Sequence, residues 1–288
     1  MRISVTEILN SSFSVYLSSL EIFFSIFLAL NVVNVALIKF ILGFLPPFNP
    51  PYISADSFLL RTVNYLASST PILSLAFLSA WILTNLGCGL AVKSAFDIFE
   101  GRKVNVKSNL ILVFKLLKDI LSVSFLTGVL IVSGIILFIF PGIIMAVIFN
   151  LSIPALISER LGVFRSLKRS RDLTDGAWWK TFLLLTAVFI LLAAAYLSAE
   201  LLTTVLRSSI AKTMATIIAI SLVEPIYPIS ISNLYNVLER QKAAHRPIDR
   251  ETAYQQRIFE SEVKVCYNCG QILPYDAVYC PNCGVRAV

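Results

Sequence analysis

This chain is poor in charge and almost without histidine. Only 14% of its 288 residues are Asp, Glu, Lys or Arg, where a soluble domain carries about 25%. Hydrophobic residues make up 57%, and mean hydropathy is +0.80. That balance excludes an ordinary water-soluble globular domain. The single histidine, His245, stands in a hydrophilic stretch, so the sequence offers neither a histidine-based catalytic triad nor a histidine metal cluster. No Walker loop or GxGxxG fingerprint is present, and no pair of carboxylates reads as facing one site. The expectation is a non-enzymatic protein. The N-terminus also lacks the short apolar core and small-residue cleavage site of a signal peptide, so its first apolar run is expected to remain as an anchor.

What the chain has in quantity is long apolar runs. Spans are expected at about 21–44, 71–92, 120–140, 143–158, 180–199 and 213–237; most approach the ~20 residues that cross a ~30 Å hydrocarbon layer. Residues 3–20 predict a helix entering from, or lying on, the membrane surface. Pro46, Pro47, Pro50 and Pro51 make LPPFNPPY a stiff external loop, with Phe48 and Tyr52 able to re-enter the interface. Asn85, Gly87 and Gly89 mark close helix contact in the second span. Pro141-Gly142 predicts a turn between the third and fourth.

Net charge is +7, which raises nucleic acid as a partner, but the basic residues cluster beside apolar runs. One side receives Arg2, the group from Lys93 to Lys118, the group from Arg160 to Lys180, and everything from Arg240 onward. The other receives Lys39, Arg61, Arg207 and Lys212. By the positive-inside rule this predicts a multi-pass protein of the cell membrane with both termini cytoplasmic. The lipid bilayer supplies the counter-charge.

Four of the five cysteines close the chain. Cys266 and Cys269 stand in CYNCG, Cys280 and Cys283 in CPNCG, with ten residues between the pairs. Two CxxC turns at this spacing aim four thiolates at one soft tetrahedral cation, and the expectation is a closed, structural Zn²⁺ site. Gly270 and Gly284 follow the pairs, where each knuckle calls for positive φ. A module this small cannot bury an adequate core, so metal must supply folding energy on the order of 10–16 kcal/mol. Free thiolates belong in a reducing compartment, in agreement with a cytoplasmic tail. Cys88, isolated in an apolar run, reads as a small hydrophobe.

The predicted fold class is an all-α polytopic membrane protein, six transmembrane helices plus interfacial helices, with a small C-terminal four-cysteine zinc ribbon. The expected domains are the membrane body at 1–240, a hydrophilic cytosolic linker at 241–263 and the ribbon at 264–288.

Two further features bear on function. In 159–180, Val163, Phe164, Leu167 and Thr174 are expected on one helical face, and Arg165, Lys168, Arg169 and Arg171 on the other. Those cations are candidates for contact with anionic lipid or a protein, or serve only as topology determinants. Gly176 ends the helix, and Trp178-Trp179 marks a membrane interface. Glu224 lies in SLVEPIYP, where Pro225 and Pro228 should kink the last span. A carboxylate in hydrocarbon is a functional candidate, for proton or substrate handling. Its structural alternative is a bond to a neighbouring helix at Asn85 or Asn150. Asn31, Asn34, Asn85 and Asn150 read as interhelical hydrogen-bonding groups.

The segment SERLGVFRSLKRSRDLTDGAWWKTF resembles the polytopic membrane-domain family found at the N-terminus of some glycerophosphodiester phosphodiesterases. The resemblance rests on Glu159, Phe164, Leu167-Lys168-Arg169-Ser170 and Gly176 with Trp178, and on the Pro-containing last span ending in SNLYNVL. It implies a multi-span scaffold over residues 1–240 and does not imply phosphodiesterase activity, since the catalytic barrel and its metal-binding acidic/His set have no counterpart here. The tail is similar, through all four cysteines and both glycines, to short zinc ribbons of prokaryotic membrane proteins.

The sequence thus predicts a membrane body holding a cytosolic zinc ribbon as a protein-interaction adaptor, with Tyr267, Tyr275 and Tyr279 on the contact surface. The alternatives are a transporter or lipid-handling protein using Glu224, and a membrane-tethered nucleic-acid-binding regulator. The last is disfavoured because only Lys264 and Arg286 are basic near the cysteines, and backbone contact needs several charges.

Overall fold

The computed structural model describes residues 4–47, 55–206, 208–245, 263–274 and 277–286. Arg2, the Phe48–Tyr52 part of the proline-rich segment, Arg207, linker residues 246–262 and Tyr275 lie outside them. The described helices are α1 (Val5–Ser18), α2 (Leu20–Leu42), α3 (Ala55–Phe99), α4 (Val106–Leu137), α5 (Ile139–Phe149), α6 (Ser152–Glu159), α7 (Val163–Thr174), α8 (Trp178–Val205), α9 (Ser209–Val223) and α10 (Ile226–His245). Strands β1 (Val263–Val265) and β2 (Ile272–Pro274) form one antiparallel pair. The chain divides into two compact units, Met1–Glu239 and Arg240–Val288.

Among the described residues, six helical segments are long and apolar enough to cross a membrane: Leu20–Leu42, Thr62–Phe99, Val106–Leu137, Ile139–Glu159, Trp178–Thr204 and Ser209–Ala244. The chain is an all-α multi-pass membrane protein. Several helices run further than their hydropathy suggests. α3 continues through Pro71 and begins at Ala55, well before the span expected from about 71. The Ser68 and Thr70 hydroxyls donate to the Tyr65 and Leu66 carbonyls, at 3.0 and 2.6 Å. Hydroxyls satisfied in this way let a polar stretch stay helical. α4 begins at Val106 rather than near 120 because its polar N-terminal turns are anchored. Asn105 caps it by accepting from the Ser108 amide at 3.1 Å, and Asn109 and Val113 are buried. The reversal between α4 and α5 falls at Phe138, in extended backbone, and Pro141-Gly142 lies inside the first turns of α5. Pro is accommodated there because early helical N–H groups have no intrahelical acceptor.

Burial is concentrated at one end of the bundle. Phe96 of α3, Ile120 of α4, Leu151 and Leu156 beside and in α6, Leu173 of α7 and Leu234 of α10 share one cluster. Phe23 and Phe27 of α2 pack with Leu90 and Ala91 of α3 and Ile229 of α10 in a second. Gly87 and Gly89 permit these approaches. A Cβ on Gly87 would stand 3.0 Å from Leu30 of α2, and one on Gly89 would stand 3.0 Å from Val113 of α4. Phe125, Ile136, Phe140, Phe189 and Leu197 are exposed, as side chains facing lipid tails are.

α1 is docked by polar contacts as well as apolar ones. Ser4 and Glu7 form a capping box at its start. Asn233 of α10 donates to the Ile8 carbonyl (2.9 Å) and the Ser12 hydroxyl (3.0 Å), and the Tyr16 hydroxyl donates to the Leu222 carbonyl.

Candidate metal centre and polar clusters of the membrane body

The two CxxC segments fold as matched knuckles. In the first, the Cys266 amide donates to the Gln271 carbonyl (2.8 Å) and the Gly270 amide to the Cys266 carbonyl (2.9 Å). In the second, Cys280 donates to Val285 and Gly284 to Cys280 at the same two distances. Gly270 and Gly284 have φ of +73° and +71°, a backbone that a Cβ disfavours. The sequence expectation for these glycines therefore has its physical cause in the turn.

All five cysteines are free. The four tail sulfurs lie within 4.8 Å of one another, with Cys266–Cys283 and Cys269–Cys280 each at 3.5 Å. A tetrahedron of metal–sulfur bonds of about 2.3 Å has edges of about 3.8 Å, so one metal ion fits among these four with small adjustment. The chemistry of the donors agrees, because four thiolates without a cation repel one another. Thiol environments in the cluster are already unequal. The Val285 amide and the Asn268 side chain hold Cys283 down to about 6. At Cys269 the Gln271 amide favours the thiolate, but desolvation and the neighbouring thiols push it up to about 11.

The apolar core of this unit is Cys266, Leu273 and Cys280, with Ala277 and Cys283 against it. Lys264 pairs with Leu273 and Val265 with Ile272 across β1 and β2. Strand alternation sends Leu273 inward, so Val265 and Ile272 face out. Both are exposed, as are Tyr267 (75%) and Tyr279 (62%).

In the membrane body, α7 turns Leu167 and Thr174 inward, as its hydropathy predicts, with Val163 half-buried against the core, but Phe164 points out. Ser166, Leu167, Ser170, Leu173 and Thr174 are buried, while Phe164 is 79% exposed. The hydroxyls face in because the α5–α6 break offers them backbone partners. Ser170 donates to the Ile148 carbonyl (2.6 Å) and accepts from the Leu151 amide (3.1 Å), and Thr174 also reaches the Ile148 carbonyl at 3.5 Å.

The four cations of this segment are not equivalent. Arg169 joins Glu159 (2.5 Å) and Glu239 of α10 (3.3 Å), and buried Tyr235 donates to the same Glu159 oxygen at 2.5 Å. Desolvation opposes the Arg169 charge, but its bonds with Glu159 and Tyr235 outweigh that and raise its pKa further. Arg165 is exposed. Lys168 and Arg171 line a cleft of about 660 Å³ together with Asp172, Thr174, Asp175 and Trp178. A second buried cluster, which the sequence reading did not single out, centres on Asp97. Lys93 (2.5 Å), Asn109 (2.8 Å) and Arg102 (3.2 Å) all donate to it, tying α3 to α4. The i,i+4 spacing of Lys93 and Asp97 was its visible signal.

Glu224 lies at the break between α9 and α10, ahead of Pro225. Its partner is neither Asn85 nor Asn150. Asn85 donates to the Trp81 carbonyl one turn back, and Asn150 to the Tyr227 hydroxyl. Instead Asn31 of α2 donates to Glu224 (3.0 Å) and to Ser221 (3.1 Å). The adjoining cavity, lined also by Asn34 and Thr84, measures about 10 Å³, room for one water and nothing larger. Asn34 Oδ1 is buried without a hydrogen-bond partner among the described residues.

No protein-family model, curated protein or solved structure matches this chain.

Proposed function

We propose that this protein is a non-enzymatic membrane adaptor: the helical body fixes its place in the bilayer, and a structural zinc ribbon on the cytosolic side meets a protein partner. The convergence of four sulfurs within 4.8 Å in two matched knuckles carries this reading. Zinc is the metal of choice because an all-thiolate tetrahedral set suits a soft d¹⁰ ion and leaves no position for water. The site then holds the module together rather than reacting. Tyr267, Ile272 and Tyr279 are the exposed side chains that would contact the partner, since aromatic residues dominate the cores of such interfaces.

Cytosolic placement is supported by the basic residues of the α3–α4 turn and α7, which the positive-inside rule assigns to the same side as the tail. The resemblance to polytopic membrane domains supports a scaffold in the same sense. A photoreactive amino acid at position 267 of the full-length chain tests the reading in cells. The expected outcome is a protein crosslink that Ile272→Asp weakens and that Cys266→Ser abolishes. Crosslinks to lipid alone, or a protein crosslink indifferent to both changes, would count against it.

A further inference from the structure

The cleft beside α7 carries charges of both signs, and that selects its ligand. It opens between the C-terminal half of α7 and the first turn of α8, next to Ile148 at the end of α5. Trp178 begins a candidate span and Trp179 beside it is exposed, which places the cleft at headgroup level, where indoles anchor. Its volume of about 660 Å³ lies within the range of about 300–1,000 Å³ typical of small-molecule sites.

Of the cations in this segment, only Lys168 and Arg171 line it. Asp172 and Asp175 line it too. The C-terminal end of α7 adds partial negative charge from its last carbonyls. Asp172 already has an interaction of its own, so Asp175 is the carboxylate that decides. A purely anionic headgroup would gain the two cations but face Asp175 and the helix end. A headgroup carrying phosphate and ammonium together matches both the cations and Asp175. Trp178 adds an aromatic surface that attracts an ammonium group.

We propose that this cleft seats the headgroup of a zwitterionic phospholipid. The phosphate lies against Lys168 and Arg171, and the ammonium group lies toward Asp175 and the C-terminal end of α7. Of the four cations that are candidates for lipid or protein contact, this assigns Lys168 and Arg171 alone, because Arg169 is held by Glu159 and Glu239 and Arg165 is outside the cleft. The site is independent of the zinc ribbon.

Native mass spectrometry of the full-length protein in detergent tests it, with phosphatidylethanolamine and phosphatidylglycerol of identical acyl chains offered in competition. The expected result is about fivefold more ethanolamine-lipid adduct, the effect of one charge contact near a bilayer surface. Asp175→Asn should bring the two lipids to parity, Lys168→Ala with Arg171→Ala should lower both, and Arg165→Ala should change neither. Equal or greater retention of phosphatidylglycerol by the unaltered protein would overturn the proposal. So would an Asp175→Asn preference unchanged from the starting protein, or a loss with Arg165→Ala as large as with the cleft variants. Asp175 is exposed and its replacement isosteric, so the decisive variant keeps its fold even if the double variant does not.

Discussion

The Ser170 hydroxyl donates to the Ile148 carbonyl across 2.6 Å, joining α7 to the point where α5 gives way to α6. The same oxygen accepts from the Leu151 amide, so one side chain serves two backbone groups that the break leaves without helical partners.

Ser170→Ala should therefore destabilise the membrane body by about 1–3 kcal/mol, the range for stranding a buried polar group. Thr174 can cover part of the Ile148 loss, but the Leu151 amide has no substitute in view. Reversible unfolding in mixed micelles measures the change. A Ser170→Ala protein as stable as an Arg165→Ala control would contradict this role.

Arg169→Ala should cost about 1–2 kcal/mol, more than the ~0–1 of an exposed pair. It would leave Glu159 and Glu239 facing one another and remove the charge that balances the Tyr235–Glu159 contact. Arg169→Lys should recover only part, because an ammonium lacks the fork that reaches two carboxylates. Full recovery by lysine in the same unfolding assay would show that charge alone matters there.

At Glu224 the Gln and Ala substitutions should differ in cost, whereas a charge-dependent site would lose the same with either. Gln preserves an acceptor for Asn31, whereas Ala removes it, so Ala should be the more destabilising by about 0.6–1.7 kcal/mol, the scale of interhelical hydrogen bonds in membranes. Equal losses for Gln and Ala would show that the carboxylate itself is required.

Removing the metal should unfold the tail, since binding supplies its folding energy. The four cysteines should then alkylate alike, as thiols of an unfolded chain do, whereas the metal-bound protein should be protected at all four. Protection should fade on acidification, as protons compete for the sulfurs. Mass mapping of brief iodoacetamide labelling reads this; equal labelling of Cys266, Cys269, Cys280 and Cys283 before and after chelation would contradict it.

The parts of this molecule that sequence made visible are those set locally. A CxxC turn needs its glycine within a few residues, and a span declares itself by its own hydropathy. What was hidden depends on partners far along the chain. Asn31 and Glu224 stand 193 positions apart, and no spacing rule could choose Asn31 over Asn85. On α7 the spacing is enough to turn Leu167 and Thr174 inward, but Phe164 faces out, and Ser170 looks polar until the broken backbone at Ile148 is placed beside it. Helix ends were misread for a related reason. Ser68 and Thr70 resemble loop residues but hydrogen-bond within their own helix.

The adaptor role stands or falls on the metal. Elemental analysis of the full-length protein, purified in detergent without added metal, should find one zinc per chain, falling to background with Cys266→Ser or Cys280→Ser. A metal-free protein whose four tail cysteines are joined in disulfides would contradict it.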